Sequence, residues 1–448
     1  MNELAIKQRI RKQRKRKKQI RRFICISIFI LLLLLLLLLG SIIKKTSDKK
    51  SKKNEQESFN PIETVEENPE PITASILSAG DIIMHDPLLT SSYYRKEDGS
   101  FDYNSIFTYI KDYYKEADFT VINLESTISN GNYKGYPRFR APAAITSALA
   151  TNHTDMCLLA NNHIYDNYDA GMNMTVDAVE SNSMLYMGVR KTVSDKTYLM
   201  KDINGIKVGF FNYVFDTGSV DGQDKSINSI PVNNESAPLI NTFNYGNLQI
   251  LYNEIQSGLV EMQSAGVEYT IAYIHWGTEY QTTENQRQRE IASQLCELGI
   301  DALIGGHPHV IQPVDLLTNT AGDHHMLCVY SLGNHLSNQY RERMVTTKPT
   351  GHTEDGLMVN LILEKSDDGI VSLENVDFIP TWVYRTPNVE DTANPEFFII
   401  PLDKPETLIK NVTLPELSVD IQESLARTNE IISEGVKKIQ NELPIINK

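Results

Sequence analysis

The chain has 448 residues, of which 41% are hydrophobic and 22% charged, a composition typical of a globular protein with one large domain or two average ones. The formal net charge is −14, and because residues 1–22 alone contribute +10, the rest of the chain carries −24. Such an acidic body argues against nucleic acid as the main partner, and it suits a protein that works with multivalent cations.

The first predicted element is a membrane anchor. An uncharged stretch of 21 residues from Phe23 to Ile43 is long enough to span a bilayer as one transmembrane helix. Eleven Lys and Arg side chains precede it in the basic segment 1–22. The positive-inside rule therefore predicts a single-pass protein of the cell membrane with a cytoplasmic N-terminus and an extracytoplasmic main domain. A cleaved signal peptide is one alternative, but its apolar region is shorter and ends in small residues. A buried core helix is the other, and the eleven flanking cations argue strongly against it.

Residues 44–72 are rich in Lys, Ser, Asn, Glu and Pro, which predicts a flexible linker.

Short apolar runs then alternate with helical periodicity over 73–385, which predicts an α/β domain with helices on the faces of a sheet. Residues 386–448 are interpreted as a C-terminal extension with a terminal helix over Val419–Ile439. The predicted strands are Ser75–Ala79, Phe119–Asn123, Met156–Ala160, Val208–Tyr213, Tyr269–His275, Ala302–Gly305, Met326–Leu332 and, as an antiparallel end, Gly356–Glu364 and Val371–Pro380. The predicted helices are Ile106–Tyr114, Ala143–Leu149, Ala170–Asn182, Asn247–Ala265 and Gln286–Leu298.

Polar residues stand where the first two predicted strands end. Asp81 follows the first strand directly after Gly80, and Asn123 and Glu125 follow the second. Sites in open α/β sheets form beyond the carboxyl ends of strands, so both carboxylates are candidate metal ligands. Each signal is weak alone, because a Gly-Asp pair also makes an ordinary turn.

Three polar residues, Asn161, Asn162 and His163, follow the third predicted strand, with Asp166 shortly after them. Polar side chains directly after a buried run are costly unless something binds them. An Asn oxygen is a neutral metal ligand, and a histidine oriented by a carboxylate can donate a proton. The alternative is a capping turn of the next helix, but Asn167 or Asp169 could cap that helix instead.

Histidines end two later strands. His275 closes one apolar run, and His307 and His309 flank Pro308 after another. Imidazole is the commonest protein ligand of divalent transition metals, although a single histidine is more often a satisfied core residue, and the pair could lie in an ordinary polar loop. Together with the earlier carboxylates and amides, these imidazoles make up a ligand set for a two-metal site.

The order of these motifs resembles the bacterial capsule-synthesis CapA family, which is linked to poly-γ-glutamate capsule production and belongs to the calcineurin-like metallophosphatase superfamily. The resemblance covers roughly residues 75–380. It implies a metallophosphatase-like α-β-β-α sandwich with mixed sheets, preceded by one transmembrane helix. The motifs that carry it are Gly80-Asp81, Asn123-Leu124-Glu125, Asn161-Asn162-His163 with Asp166, His275-Trp276-Gly277, Gly306-His307-Pro308-His309 and Ser331-Leu332-Gly333-Asn334.

The resemblance also implies roles for individual residues. One divalent metal ion would be bound by Asp81, Glu125 and His309, and a second by Glu125, Asn162, His275 and His307. The ions would be Mn, Fe or Zn. The implied general acid is His163, with Asp166 as the residue that orients it.

Two positions depart from the superfamily pattern. The first motif of the superfamily is Asp-x-His, whereas here Asp81 is followed by two isoleucines. The next histidine is His85, which either fills the missing ligand position or only faces the pocket. Glu125 stands where the superfamily normally has Asp. Other candidate substrate or pocket residues are Asn123, Arg140, Glu279 and Asn334. Arg140 could hold an anionic substrate or form a surface salt bridge. His335 is expected near the mouth of the site.

Three functions are compatible with this sequence. The first is an anchored extracytoplasmic protein of capsule or poly-γ-glutamate synthesis and export that works beside synthase components on an anionic polymer. The second is an active envelope phosphoesterase that hydrolyses a nucleotide or a lipid-linked phosphate. The third is a non-catalytic scaffold of a polymer synthase complex, which the altered first motif keeps open.

Overall fold

The computed structural model describes residues 71–386, 394–405 and 417–446. The predicted basic segment and membrane anchor, and nearly all of the predicted linker, lie outside these residues. Within the described ranges, no helix is long and apolar enough to cross a membrane. The predicted anchor and domain boundaries therefore stay predictions.

The described residues contain nineteen strands and seven α-helices. The strands are β1 Ile72–Ile82, β2 Phe119–Leu124, β3 Thr127–Ile128, β4 Arg140–Ala141, β5 Met156–Leu158, β6 Leu185–Met187, β7 Tyr198–Ile203, β8 Ile206–Phe215, β9 Ser226–Ile227, β10 Ile230–Pro231, β11 Thr242–Phe243, β12 Tyr269–His275, β13 Ala302–Gly306, β14 Val314–Thr318, β15 His325–Val329, β16 Asn334–Leu336, β17 Asp355–Lys365, β18 Val371–Arg385 and β19 Phe397–Pro401. The helices are α1 Asp86–Thr90, α2 Lys111–Glu116, α3 Ala144–Thr151, α4 Tyr168–Ser181, α5 Leu248–Ser264, α6 Gln286–Leu298 and α7 Ser418–Ile446.

Most strands belong to two sheets, and both sheets are mixed, as predicted. The first sheet has the order β19-β18-β17-β1-β2-β5-β6, and β16 pairs with the end of β1. Its β1, β2, β5 and β6 are parallel neighbours, whereas β17, β18 and β19 are antiparallel. The second sheet has the order β11-β8-β12-β13-β15-β14, with β7 antiparallel to β8.

The alternation of side chains along the strands builds three layers of core. In β1, Ile76 lies in the cluster between the two sheets, and its neighbour Leu77 lies in the cluster on the outer face. That outer cluster includes Val176 of α4, and the outer cluster of the second sheet includes Leu251 of α5 and Ile291 of α6. The described residues therefore form a helix–sheet–sheet–helix sandwich.

The C-terminal helix α7 packs onto this sandwich. Ile432 and Ile439 of the helix belong to the cluster between the sheets. Near its start, Arg427 forms an ion pair with the buried Asp355 at 2.7 Å, and the Ser424 hydroxyl donates a hydrogen bond to the same carboxylate at 2.6 Å. The helix predicted over 419–439 extends in the structure to Ile446, beyond its predicted C-terminal end.

Several predicted elements differ from the observed ones. The strand predicted over Met326–Leu332 stops at Val329, and the chain then turns so that β16 joins the other sheet. The helix predicted over Ile106–Tyr114 is a 3₁₀ turn, Asn104–Phe107, followed by the short α2. Strands β7 and β14 were not predicted because they are partly exposed edge strands with a weak apolar pattern. Strand β19 is apolar and buried, but it lies in the C-terminal extension, for which only the terminal helix was predicted.

Candidate metal centre

The carboxyl ends of strands from both sheets meet at one edge of the sandwich. Asp81 is the penultimate residue of β1, and Glu125 follows β2. From the second sheet, His275 ends β12, and His307 and His309 follow β13. All five side chains are buried. The structure thus brings together the residues that the sequence pattern singled out from distant parts of the chain.

These side chains form two groups that share one carboxylate. Glu125, His275 and His307 make up one group, and Asp81, Glu125 and His309 make up the other. In each group, one ligand atom per residue lies within 4.8 Å of the others. Each group could hold one divalent ion, and Glu125 would contribute to both.

The Glu125 carboxylate gives the strongest indication that cations bind here. Both of its oxygens are buried and have no hydrogen-bond partner among the described residues. Its Oε1 faces the Nε2 atoms of His275, His309 and His163 at 3.7, 3.8 and 4.0 Å. These distances are too long for hydrogen bonds. Two atoms this far apart could both contact a metal ion, because metal–ligand distances are about 2.0–2.2 Å. The donor set therefore fits a divalent metal.

The electrostatics of the metal-free groups support the same interpretation. Burial, together with the neighbouring Asp81, raises the pKa of Glu125 well above its usual value. Burial also raises the pKa of Asp81, but the imidazoles of His309 and His275 outweigh it and lower this pKa overall. Burial lowers the pKa of His275 to about 3 and that of His307 well below its usual value. These two imidazoles are therefore neutral at physiological pH, which is the form that binds metals.

The turn that carries His307 and His309 is strained. Both residues adopt positive φ angles, 96° and 56°, which non-glycine residues rarely adopt. The backbone N–H of His307 donates a hydrogen bond to Asp81 Oδ2 at 3.2 Å. A Cβ atom at Gly306 would lie 3.0 Å from Asp81 Oδ1, so glycine lets the turn approach the carboxylate. Strain of this kind concentrates at functional sites.

The third predicted strand end contributes a hydrogen-bonded histidine–aspartate pair. His163 Nδ1 donates a hydrogen bond to Asp166 Oδ2 at 2.7 Å, which leaves Nε2 facing Glu125. The same Asp166 oxygen accepts the Phe139 backbone N–H at 2.6 Å. Nearby, the Asn162 side-chain oxygen accepts from His275 Nε2 at 2.8 Å, so it also reaches the cluster.

Asn123 and His85 lie beside the cluster. The Asn123 amide donates to Asp81 Oδ1 at 2.7 Å and so positions that carboxylate. His85 belongs to neither ligand group. Its ring lies edge-on to Phe139 at 5.2 Å, and its Nδ1 accepts the Asn338 backbone N–H at 3.2 Å. The missing ligand position is therefore not filled by His85 in this structure.

The other predicted pocket residues have different surroundings. Arg140 is half-buried, and its Nε has no hydrogen-bond partner in the described part of the chain. Glu279 is exposed and belongs to neither ligand group. The Asn334 amide donates to Gln339 and to the Thr353 carbonyl, each at 2.9 Å, so it stabilises the loop beside β1.

The expectation that His335 lies at the mouth of the site is wrong. Its side chain is fully buried and hydrogen-bonded to Tyr114, because it points into the core below the sheet. Sequence reasoning also missed aromatic neighbours of the imidazoles. Phe215 lies edge-on to His307 at 4.9 Å, and the Tyr280 ring is 6.0 Å from His309. Tyr280 stands five residues after His275, and this closeness in sequence was the signal that could have placed Tyr280 near the site.

Comparison with known proteins identifies the family. The model of the bacterial capsule synthesis protein PGA_cap family matches residues 75–339, which is more than half of the chain and includes the whole cluster. The "PGA biosynthesis protein CapA" of Bacillus subtilis is 23% identical over 359 residues, which cover 78% of this chain and 83% of that relative. The "Capsule biosynthesis protein CapA" of Bacillus anthracis is 23% identical over 243 residues, which cover 52% of this chain and about half, 54%, of that relative. In agreement with the motif-based resemblance, the chain belongs to the bacterial capsule synthesis PGA_cap (CapA) family.

Proposed function

We propose that this capsule-biosynthesis protein is a membrane-anchored, extracytoplasmic component of poly-γ-glutamate synthesis or export with a two-metal phosphoesterase site. The observation that carries the site is the buried Glu125 carboxylate, which has no hydrogen-bond partner among the described residues and faces three imidazoles at 3.7–4.0 Å. A buried charge without a partner is strongly unfavourable unless a cation compensates it.

The ligand roles follow from the two groups of side chains. Asp81, Glu125 and His309 would hold one divalent ion, and Glu125, His275 and His307, with the Asn162 oxygen beside them, would hold the other. When bound, such ions polarise a phosphoryl group and activate water at neutral pH. Mn, Fe and Zn all suit this mixture of carboxylate, amide and imidazole ligands.

The chain's own proton donor is His163. Asp166 accepts a hydrogen bond from its Nδ1 and fixes the ring orientation, so Nε2 faces the cluster. In its imidazolium form, His163 would donate the Nε2 proton to the leaving alkoxide as the phosphorus–oxygen bond breaks, and the ring would be left neutral with Nδ1–H still bound to Asp166. Asn123 positions Asp81, and the half-buried Arg140 provides a positive charge for an anionic substrate.

The cellular setting is inferred from the sequence and the family. The apolar stretch 23–43 and the basic residues before it support anchoring in the cell membrane with the catalytic domain outside. The relatives' names support a role beside capsule synthase components. The acidic body of the chain argues against nucleic acid as a partner.

A non-catalytic scaffold is the second candidate. The observation that favours it is the departure at the first motif, since His85 lies outside both ligand groups and leaves Asp81, Glu125 and His309 as the set for the first ion. A weakly bound first ion would leave a protein that keeps the fold but has little hydrolytic activity.

Metal content and turnover of the full-length chain in detergent test these proposals. We expect two equivalents of divalent metal and hydrolysis of bis(p-nitrophenyl) phosphate, with at least one equivalent of metal and the hydrolysis lost in His307→Asn. The matched control is His153→Asn, because His153 is exposed and also has a positive φ, 67°, which Asn tolerates. A wild-type chain that binds no metal yet restores capsule in a deletion strain would establish the scaffold instead.

A further inference from the structure

A short hairpin lies beside the histidine–aspartate pair, and we call residues 134–140 the strap. Its two ends are joined by backbone hydrogen bonds between Lys134 and Arg140, at 3.1 and 2.8 Å. The Gly135 N–H donates to Asp86 Oδ1 at 2.7 Å, and the Thr127 hydroxyl donates to the Phe139 carbonyl at 2.5 Å. The strap is therefore held at both ends and along its length.

The strap is fixed directly against the candidate general acid. The Phe139 N–H donates to Asp166, and the Phe139 ring lies edge-on to the His163 ring at 4.6 Å. Arg138 is the next residue along the strap and is exposed. Its backbone therefore adjoins the residue that contacts Asp166 and His163.

The Arg138 guanidinium is held in place by a tyrosine rather than by a carboxylate. Its Nη1 donates to the Tyr168 hydroxyl at 3.0 Å, and its central carbon is 5.7 Å from the centroid of the Tyr168 ring. In the part of the chain that the structure describes, no carboxylate lies within the 4.0 Å of an ion pair with Arg138. A guanidinium has five N–H donors, so four remain available to another acceptor.

Tyr168 is itself preorganised. It has a positive φ of 53° at the start of α4, and its ring packs edge-on against Tyr165 at 6.0 Å. The Tyr165 hydroxyl donates to Asp169 at 2.7 Å, which ties this pair of rings to the helix. A guanidinium already oriented by one hydrogen bond and one ring contact loses less entropy when it binds a planar anion.

The local charge favours an anion as well. The strap sequence Lys-Gly-Tyr-Pro-Arg-Phe-Arg has three cations and no acid, in a chain whose net charge is −14. Its exposed tip includes Tyr136, which is 72% exposed. A cationic, aromatic strap beside a phosphoester site is suited to a substrate with negative charges beyond the reacting phosphoryl group.

We propose that Arg138 and Tyr168 form a second anion subsite, which binds a carboxylate or phosphate of the substrate outside the metal centre. This inference rests on the proposed phosphoesterase function, because it assigns a polyanionic substrate to that site. Arg138 is a specificity residue here, since it binds a remote group and does not contact the reacting atoms.

Direct binding to the full-length chain in detergent tests the subsite independently of turnover. The probes are a fluorescent penta-γ-glutamate, which presents carboxylates, and pyrophosphate, measured by anisotropy and by calorimetry with metal content determined in parallel. We expect Arg138→Gln to weaken binding about tenfold and Tyr168→Phe to weaken it less, with metal content unchanged. The matched control is Lys437→Gln, which makes the same change in net charge at an exposed position of α7.

The outcomes separate the subsite from the proposed function. A loss confined to penta-γ-glutamate assigns the subsite to carboxylates, and a loss confined to pyrophosphate assigns it to phosphates. The inference is overturned if wild type binds neither probe, or if Arg138→Gln weakens binding no more than Lys437→Gln. Failure of the proposed function has a different signature, because wild type would then lack metal or turnover while its binding of the probes still depended on Arg138.

Discussion

The sharpest prediction concerns Glu125→Gln, which changes a carboxylate to an amide of nearly the same shape. Because Glu125 is the only residue shared by the two ligand groups among the described residues, the variant should lose affinity for both ions. The metal-free variant should be at least as stable as the metal-free wild type. The reason is that the wild-type carboxylate is buried without a hydrogen-bond partner and near Asp81, which makes its ionisation unfavourable.

The magnitude follows from linkage between metal binding and folding. At a free metal concentration about 100-fold above the dissociation constant, one bound ion stabilises the folded state by about 2.7 kcal/mol. For a domain of this size, that difference raises the melting temperature by about 4 °C. We therefore expect added Mn²⁺ or Zn²⁺ to raise the melting temperature of wild type by at least this amount and to leave Glu125→Gln unchanged.

Differential scanning calorimetry of the full-length chain, with and without chelator, measures both quantities. Glu430→Gln is the control, because Glu430 is exposed on α7 and far from the ligand groups in sequence. If metal stabilised Glu125→Gln as strongly as wild type, Glu125 would not be a ligand. If the metal-free variant were several kcal/mol less stable than metal-free wild type, the Glu125 carboxylate would have a stabilising partner within the protein and would not need a cation.

Three further predictions concern the acid, the glycine turn and the buried ion pair. His163→Asn should lower kcat about 10²- to 10⁴-fold without changing metal content, and a loss of metal in this variant would make His163 a ligand instead. Gly305→Ala should cost about 1–3 kcal/mol in urea unfolding, because its Cβ would lie 2.0 Å from the Tyr330 carbonyl oxygen, and an unchanged midpoint would contradict this packing. Burial raises the pKa of Asp355 in the folded chain from 3.8 to about 6 despite its ion pair with Arg427. Between these two pH values, Asp355 is deprotonated in the unfolded chain but still protonated in the folded chain, so the free energy of unfolding falls as pH rises. Asp355→Asn should flatten this part of the pH profile, and an unaltered slope would place the titration elsewhere.

Local sequence was sufficient to predict the central strands and the candidate ligand residues at their ends. The run Tyr269–His275 is long, apolar and buried on both faces of a sheet, so its strand was predicted with its observed bounds. The types of residue that follow such runs were equally informative, because an unpaired polar group directly after a buried strand is unfavourable without a partner or a ligand. Edge strands such as β7 carry a weaker signal, since half of their side chains face solvent.

Tertiary structure alone decided which strand ends meet. Nothing near Glu125 in the sequence indicates that its carboxylate lies between imidazoles from the other sheet, because that proximity depends on how the inner faces of the two sheets pack. Packing also buried His335 in the core and set Phe139 against His163, which fixed the strap beside the site. Short-range patterns determine what each segment can do chemically, whereas its neighbours are selected by many weak apolar contacts between residues that are far apart along the chain.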